Sequence, residues 1–240
     1  MAKSAQPAQE NLNMKLSPTS QRAHAFSLIE LIIVISVIVI IAAFTLPAMN
    51  TVLKGSQLSQ GAGLIIGQLN IARQQAIARN KPVEVRFYRF ADPEVPGEDV
   101  TTPATGKFRA MQLFQVQASG VALPIDKLQT LPGGVIFAYS ESKGLSSLID
   151  KNTAYAPKKP GLDDKGAPRL PRGVDFNYEY LSFKFLQDGS TDRSPTGQWF
   201  ITLVGLNEKI ISPEVPPPNF FTVQVDPVSG VTKTYRPNAG

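Results

Sequence analysis

The chain has 240 residues, of which 42% are hydrophobic and 18% are charged. This balance is typical of a globular protein and excludes global disorder. The net charge of +5 is too small to indicate nucleic-acid binding by itself. There is no cysteine, and the one histidine is His24, so disulfides, thiolate metal sites and cysteine or histidine catalysis lack their residues once the N-terminus is removed. We therefore predict no catalytic residue, no metal, no cofactor and no enzymatic activity.

A long apolar run dominates the N-terminal region. Residues 26–46 contain one charged residue, Glu30. A helix of this length covers about 30 Å, which is the thickness of the hydrocarbon core of a bilayer. Because basic residues precede the run, we predict a single transmembrane helix with a cytoplasmic N-terminus and an exported C-terminal region. A secretory signal peptide is the alternative, although its apolar core is usually shorter, about 7–15 residues.

The start of this run carries a motif. Residues 25–30 read AFSLIE, and Pro47 follows the apolar helix. This arrangement resembles the prepilin processing motif of type IV pilins and type II secretion pseudopilins. The resemblance implies cleavage between Ala25 and Phe26 by a prepilin peptidase, and N-methylation of Phe26 by the same peptidase/methylase. It also implies assembly with other pilin or pseudopilin subunits at an inner-membrane assembly platform. Ala25 stands where that family usually has glycine.

Glu30 needs a partner if its helix enters a membrane. A charged side chain at the bilayer centre costs about 2.5–3.5 kcal/mol on insertion scales. In the resembled family the partner is the new N-terminal amine of a neighbouring subunit, here the amine of Phe26. Glu30 is then expected to set the register of subunits in a filament. The alternative is a capping box, in which Ser27 and Glu30 satisfy only the first turn of the helix.

The helical pattern continues beyond Pro47, which is expected to kink the helix. Six apolar residues recur at spacings of four and three and so predict one buried helix face. These residues are Leu58, Ala62, Ile65, Leu69, Ala72 and Ala76. The sequence NKP at residues 80–82 predicts the end of the helix. The predicted organisation is a cleaved leader (1–25), a transmembrane and stalk helix (26–80) and an exported β-rich domain (81–240).

A period of two begins at Pro82. Val83, Val85 and Phe87 alternate with more polar residues, which predicts a strand with one buried face. Further strands are predicted at residues 108–118, 134–139, 180–186, 198–206 and 220–235. The turn residues DPVSG at 226–230 split the last of these into a hairpin. The predicted fold class is α+β and type IV pilin-like, with a long N-terminal hydrophobic helix packed on an antiparallel β-sheet domain.

The order of these elements resembles the H-type (GspH/FimT-like) minor pseudopilins and minor pilins. That resemblance is carried by residues 72–80, Val83, Val85 and residues 188–190 and 222–227. Residues 87–97 and 219–222 resemble more narrowly the Verru_Chthon cassette protein D family. The resemblance implies a minor subunit of a type II secretion or type IV pilus-like filament. Such a subunit first lies in the inner membrane with its C-terminal domain in the periplasm, and then joins the filament.

A basic loop is predicted at residues 151–173. Its cationic residues are Lys151, Lys158, Lys159, Lys165, Arg169 and Arg172. One interpretation is a membrane-anchored, exported binding module that contacts DNA or anionic polysaccharide through this loop. The scarcity of aromatic residues for base stacking instead favours a solvated loop.

Two further features are given structural interpretations. Residues 188–192 read DGSTD and offer oxygen atoms at a turn, but too few for a calcium loop. We therefore interpret them as a hairpin turn between Phe185 and Trp199. Trp199 is followed by the alternating apolar residues Ile201 and Leu203, which predicts a place in a sheet core.

Overall fold

A computed structural model of the chain describes residues 27–139, 144–150, 170, 174, 176–208 and 217–237, without the side chains of residues 45–51. The chain divides into two compact units, residues 1–47 and 48–240. Helix α1 (Leu28–Arg79) comes first. Across the described ranges, no helix combines the length and the apolar character that crossing a membrane requires. The segment predicted to span a bilayer, residues 26–46, includes Phe26, which lies outside the described residues.

The C-terminus of α1 is closed by its own backbone. The Lys81 N–H donates to the Ala76 carbonyl at 3.2 Å, and the Asn80 N–H donates to the Ile77 carbonyl at 3.2 Å. Asn80 adopts a positive φ of 50°, as is usual for the residue after such a helix end. Pro82 then blocks continuation of the helix. The helix end predicted at residues 80–82 is confirmed.

The second half of α1 buries one face. All six residues predicted for this face are at most 2% exposed. The helix is continuous through Gly61, Gly63 and Gly67, although glycine lowers helix propensity by about 1 kcal/mol relative to alanine. Tertiary burial of the apolar face explains why the helix persists there.

Nine strands follow α1 in the described part of the chain, and they form two antiparallel sheets. Their bounds are β1 (Val83–Phe90), β2 (Lys107–Val116), β3 (Ala122–Pro124), β4 (Gln129–Thr130), β5 (Val135–Phe137), β6 (Glu179–Phe185), β7 (Trp199–Gly205), β8 (Phe220–Val225) and β9 (Thr232–Tyr235). Sheet A has the order β3-β2-β1-β6 with β4 also paired to β2, and sheet B has the order β5-β7-β8-β9. Every predicted strand is present, and only the short β3, β4 and a 3-10 turn at Pro103–Thr105 were not predicted.

The predicted hairpin between β8 and β9 is confirmed. The Asp226 carboxylate accepts hydrogen bonds from the backbone N–H groups of Val228 at 2.9 Å and Ser229 at 2.8 Å. Gly230 has a φ of 68° and donates its N–H to the Asp226 carbonyl at 2.8 Å. Both features belong to a turn in which a left-handed glycine returns the chain to the ladder.

The main core lies among the buried face of α1 and the inner faces of both sheets. Sheet A contributes Val85, Phe87 and Phe183, and sheet B contributes Leu203 and Val223, all at most 1% exposed. Phe87 packs edge-on against Phe137 of sheet B, with ring centroids 5.2 Å apart. The α+β class with a helix packed on antiparallel strands is thus observed directly, and the strands are divided between two sheets.

The prediction of one buried face is wrong for β1, because every residue of this strand is buried. The second face of sheet A carries a separate apolar cluster, in which Tyr88 and Phe114 are joined by Val174 and Tyr178 from the chain after the basic loop. Arg86 lies in this face, with its guanidinium 4.1 Å from the Phe114 ring and 4.5 Å from the Tyr180 ring. Burial of a charge is tolerated there because Arg86 also pairs with Glu84 at 3.1 Å.

Candidate assembly site

The first turn of α1 positions Glu30. The Ser27 carbonyl accepts hydrogen bonds from the N–H groups of Glu30 at 3.0 Å and Leu31 at 3.1 Å, so the helix starts at the motif. Within the described part of the chain, neither the Ser27 hydroxyl nor the Glu30 carboxylate makes a side-chain hydrogen bond. The capping-box alternative is therefore not formed. A carboxylate in this turn is favoured by the positive end of the helix dipole.

The rest of this segment is apolar on all sides. Thirteen large apolar side chains between Leu28 and Phe44 are each 45–78% exposed. The one hydroxyl among residues 31–44, that of Ser36, is satisfied within the helix by the Ile32 carbonyl at 2.7 Å. Burying a large aliphatic side chain stabilises by about 1.5–3 kcal/mol, so this segment gains a large free energy from any apolar partner. Glu30 is its only charged residue.

Several predicted site residues fall outside the described residues. Ala25 and Phe26 are among them. Pro47 lies within the bounds of α1, and its predicted kink remains a prediction. The six cationic residues predicted for the basic loop also lie outside the described residues: Lys151, Lys158, Lys159, Lys165, Arg169 and Arg172.

The DGSTD segment forms a turn. Asp188 accepts hydrogen bonds from the Ser190 hydroxyl at 2.6 Å and from the Ser190 N–H at 2.9 Å, and these bonds hold the pKa of the Asp188 carboxyl below its ordinary value. Gly189 has a positive φ of 84°. The turn brings Thr191 back to a bridge with Phe185. The predicted hairpin between Phe185 and Trp199 is not formed, because β6 and β7 belong to different sheets.

The described residues contain no cluster of three or more acidic or histidine side chains suited to a metal ion. Trp199 packs at the margin of the main core and donates its ring N–H to the Ser194 carbonyl at 2.8 Å. Ile201 and Leu203 are fully buried beside it. These positions confirm that the Trp199 strand belongs to the sheet core.

A buried ion-pair network was not predicted from the sequence. Arg109 on β2 donates to Glu98 at 2.6 Å and to Asp92 at 2.9 Å. The Asp92 N–H in turn donates to Glu98 at 2.8 Å, so the loop between β1 and β2 is fixed to the sheet. Two acidic residues in a loop that follows a strand rich in arginine were the available signal.

A second missed residue is Arg73 on α1. Its Nε donates to the Ser229 carbonyl in the β8–β9 turn at 2.8 Å. Thr191, just after the Asp188 turn, donates its N–H to the Pro227 carbonyl in the same β8–β9 turn at 2.9 Å. Arg73 therefore connects the helix to the β8–β9 turn, which Thr191 links to sheet A, and no local pattern in the sequence indicates the Arg73 contact.

One comparison with known proteins falls on the same N-terminal segment. Residues 20–46 match a family model described as the prokaryotic N-terminal methylation motif. No curated protein matches the chain. The chain is similar to two solved structures of the minor pseudopilin EpsH from the type II secretion system of Vibrio cholerae. One has a TM-score of 0.38 and 12% identity and covers 76% of this chain and 98% of that chain. The other has a TM-score of 0.40 and 13% identity and covers 77% and 97%. Both TM-scores are low. The matched motif and this chain's own residues are therefore the evidence for its function.

Proposed function

We propose that this chain is a minor pilin or pseudopilin subunit of a type II secretion or type IV pilus-like filament. The observation that carries the proposal is that a sequence motif and an exposed apolar helix occur on the same segment. The methylation motif spans residues 20–46, and the helix within it exposes apolar side chains on all sides with Glu30 as its single charge. The work of such a subunit is assembly rather than catalysis.

Processing prepares the segment for assembly. A prepilin peptidase cuts between Ala25 and Phe26 and methylates the amine of Phe26. The new amine then precedes Glu30 by four residues, which is about one helical turn. A neighbouring subunit's amine neutralises the carboxylate, and this pairing fixes the register of one subunit on the next because an unpaired charge in apolar surroundings is costly.

The location follows from the same segment. Before assembly the chain lies in the inner membrane as a single-pass protein with a cytoplasmic N-terminus and a periplasmic β-domain, and an assembly platform then transfers it to the filament. Pro47 kinks the helix where the segment ends. The sequence resemblance supports an H-type (GspH/FimT-like) minor subunit, and more narrowly a member of the Verru_Chthon cassette protein D family.

The test replaces Glu30 by alanine in the full chain and compares it with Glu94→Ala, which removes an exposed carboxylate far from the motif. We expect Glu30→Ala to block incorporation into sheared filaments, because the amine of the neighbouring subunit loses its partner. Glu94→Ala should incorporate normally. Both variants should retain the fluorescence of Trp199, which reports a folded β-domain.

Mass spectrometry of the mature N-terminus completes this experiment. We expect N-methyl-Phe26 in the wild-type chain and in both variants, since cleavage precedes assembly. An uncut chain, or a cut near Ala43, would replace the filament model with an anchored or secreted β-domain. Normal incorporation of Glu30→Ala would remove the register role of Glu30 while leaving the processing claim to the mass spectrum.

A further inference from the structure

A cavity of about 120 Å³ lies between the start of the stalk part of α1 and sheet B. The described polar residues that line it are Lys54 and Gln57 from the helix, Asn207 and Glu208 after β7, and Asn219 before β8. One water needs about 10–15 Å³ by this measure of volume, so the cavity can hold a group the size of a phosphate together with a small substituent.

The five polar side chains of this cavity do not bond to one another. In the portion of the chain that the structure describes, none of the five makes a side-chain hydrogen bond or an ion pair. Convergent polar side chains beside apolar ones on a concave surface are the usual lining of a ligand site. Leu58, Val135 and Leu206 also line the cavity and offer an apolar surface to the carbon atoms of a ligand.

The donors indicate the chemistry of the ligand. Lys54 supplies three N–H donors, and the amides of Gln57, Asn207 and Asn219 each supply two. So many donors match the several acceptor oxygens of a phosphate better than the two of a carboxylate. Among the described residues that line the cavity, Glu208 is the only anionic one, and it disfavours a bare phosphate. A cationic substituent on the ligand removes that repulsion.

We propose that this cavity binds a zwitterionic phosphate ester that carries an ammonium group. Lys54 and the three amides hold the phosphate, and Glu208 holds the ammonium. The ligand is either the headgroup of a phospholipid or a soluble phosphoethanolamine-like molecule. Gly205 leaves room for the Glu208 side chain, because a Cβ there would lie 3.1 Å from Cγ of Glu208. This inference does not depend on filament assembly.

The first test titrates soluble phosphoethanolamine into the full chain in dodecyl maltoside and follows the heat of binding. We expect saturable binding that Lys54→Gln weakens about tenfold or more, as the loss of a charged hydrogen bond does. Lys54 is exposed and unpaired, so the variant should fold. The matched control is Lys127→Gln, which removes an exposed positive charge outside the cavity and should bind as the wild type does.

Glu208→Gln separates a zwitterion site from a simple anion site. We expect this variant to bind phosphoethanolamine more weakly and inorganic phosphate more tightly than the wild type. A purely structural role for Glu208 would not move the two ligands in opposite directions. The proposal is overturned if wild-type protein binds inorganic phosphate as tightly as phosphoethanolamine, or if Lys127→Gln weakens binding as much as Lys54→Gln.

A second measurement identifies the source of the ligand. Lipids that remain with the purified protein are extracted and quantified by mass spectrometry. Retention of phosphatidylethanolamine by the wild type and by Lys127→Gln, but not by Lys54→Gln, identifies a lipid headgroup. Binding of soluble phosphoethanolamine without retained phosphatidylethanolamine identifies a soluble ligand. The absence of both refutes the site.

Discussion

The two halves of α1 are both rich in apolar residues but treat them in opposite ways. Between Leu28 and Phe44, thirteen large apolar side chains are 45–78% exposed, whereas the six apolar residues between Leu58 and Ala76 that face the sheets are at most 2% exposed. The first half is apolar all round, and the second is apolar on one stripe. An apolar stripe is satisfied by the protein's own sheets, but an all-round apolar surface needs lipid or other chains.

The largest test of this contrast is Leu69→Ala. Leu69 is fully buried in the main core, so the variant leaves a cavity and should lower the free energy of unfolding by about 2–5 kcal/mol. The matched change in the first half is Ile32→Ala, at a side chain that is 47% exposed. Its effect on the unfolding of the β-domain should stay within about 0.5 kcal/mol.

Urea unfolding of the full chain in detergent, followed by the fluorescence of Trp199, measures both variants. Trp199 packs against the main core and is the only tryptophan. Equal losses from Leu69→Ala and Ile32→Ala would contradict the contrast, because the first half would then contribute to the fold of the β-domain.

The contact between the second half of α1 and the β8–β9 turn offers a second test, Gly230→Ala. A Cβ at Gly230 would lie 2.0 Å from the Gly189 carbonyl oxygen and 3.1 Å from Cδ of Arg73. Gly120 also has a positive φ, 83° against 68°, but a Cβ there meets nothing within 4 Å. Gly230→Ala should therefore cost about 1–3 kcal/mol more than Gly120→Ala, because only the first adds a steric clash.

Thermal or urea unfolding of the two glycine variants gives this difference directly. If the two substitutions cost the same, the positive φ alone explains both. The turn would then not be packed tightly against Arg73 and the Asp188 turn.

Local patterns made much of this fold predictable. The six buried residues of α1 follow from spacings of three and four, and the helix end follows from residues 80–82, because helical contacts join residues close in sequence. The start of the candidate assembly site was predictable for the same reason, since the methylation motif is contiguous. The DPVSG hairpin likewise depends on five consecutive residues.

Long-range pairing explains what the sequence did not predict. The second face of β1 carries Arg86, whose charge indicated an exposed position. Phe114 on β2 and Tyr180 on β6 cover it from the two strands paired to β1, which are separated from it in sequence. The division into two sheets has the same origin, because alternation of period two is identical in both. The cavity beside Lys54 was also not predictable, because Lys54 and Glu208, which both line it, are far apart in sequence.

The Asp126 carboxyl, which accepts a hydrogen bond from β2 of sheet A, makes the stability of the β-domain depend on pH. Burial raises the pKa of the Asp126 carboxyl from 3.8 to about 6, against the opposing hydrogen bond from the Leu113 N–H on β2. Between these two pH values the folded chain binds more protons than the unfolded chain, so this group makes the free energy of unfolding fall as pH rises from 3.8 to about 6.

Asp126→Asn keeps an oxygen that accepts from Leu113 but removes the titration. We expect the variant to gain stability relative to the wild type as pH rises through this window and to hold the gain above it. The control is Asp188→Asn. The pKa of the Asp188 carboxyl is lowered in the folded chain, so its removal should change the slope only at the acidic end of this window, in the sense opposite to Asp126→Asn, and leave the upper end unchanged. A constant difference between Asp126→Asn and wild type across the pH series would contradict the burial of the charge.

The smallest expected effect concerns the outer side of the packed half, at Gly63. This glycine is exposed within α1, and a Cβ there meets nothing within 4 Å. Gly63→Ala should therefore raise the free energy of unfolding by about 0.5–1 kcal/mol through helix propensity alone. Gly67→Ala, which is equally open, should repeat the gain. We expect both variants to enter filaments as the wild type does, because the exposed apolar side chains that would contact other chains lie in the first half of α1. A stabilised variant that fails to assemble would show that the outer side of the packed half also contacts a neighbouring subunit.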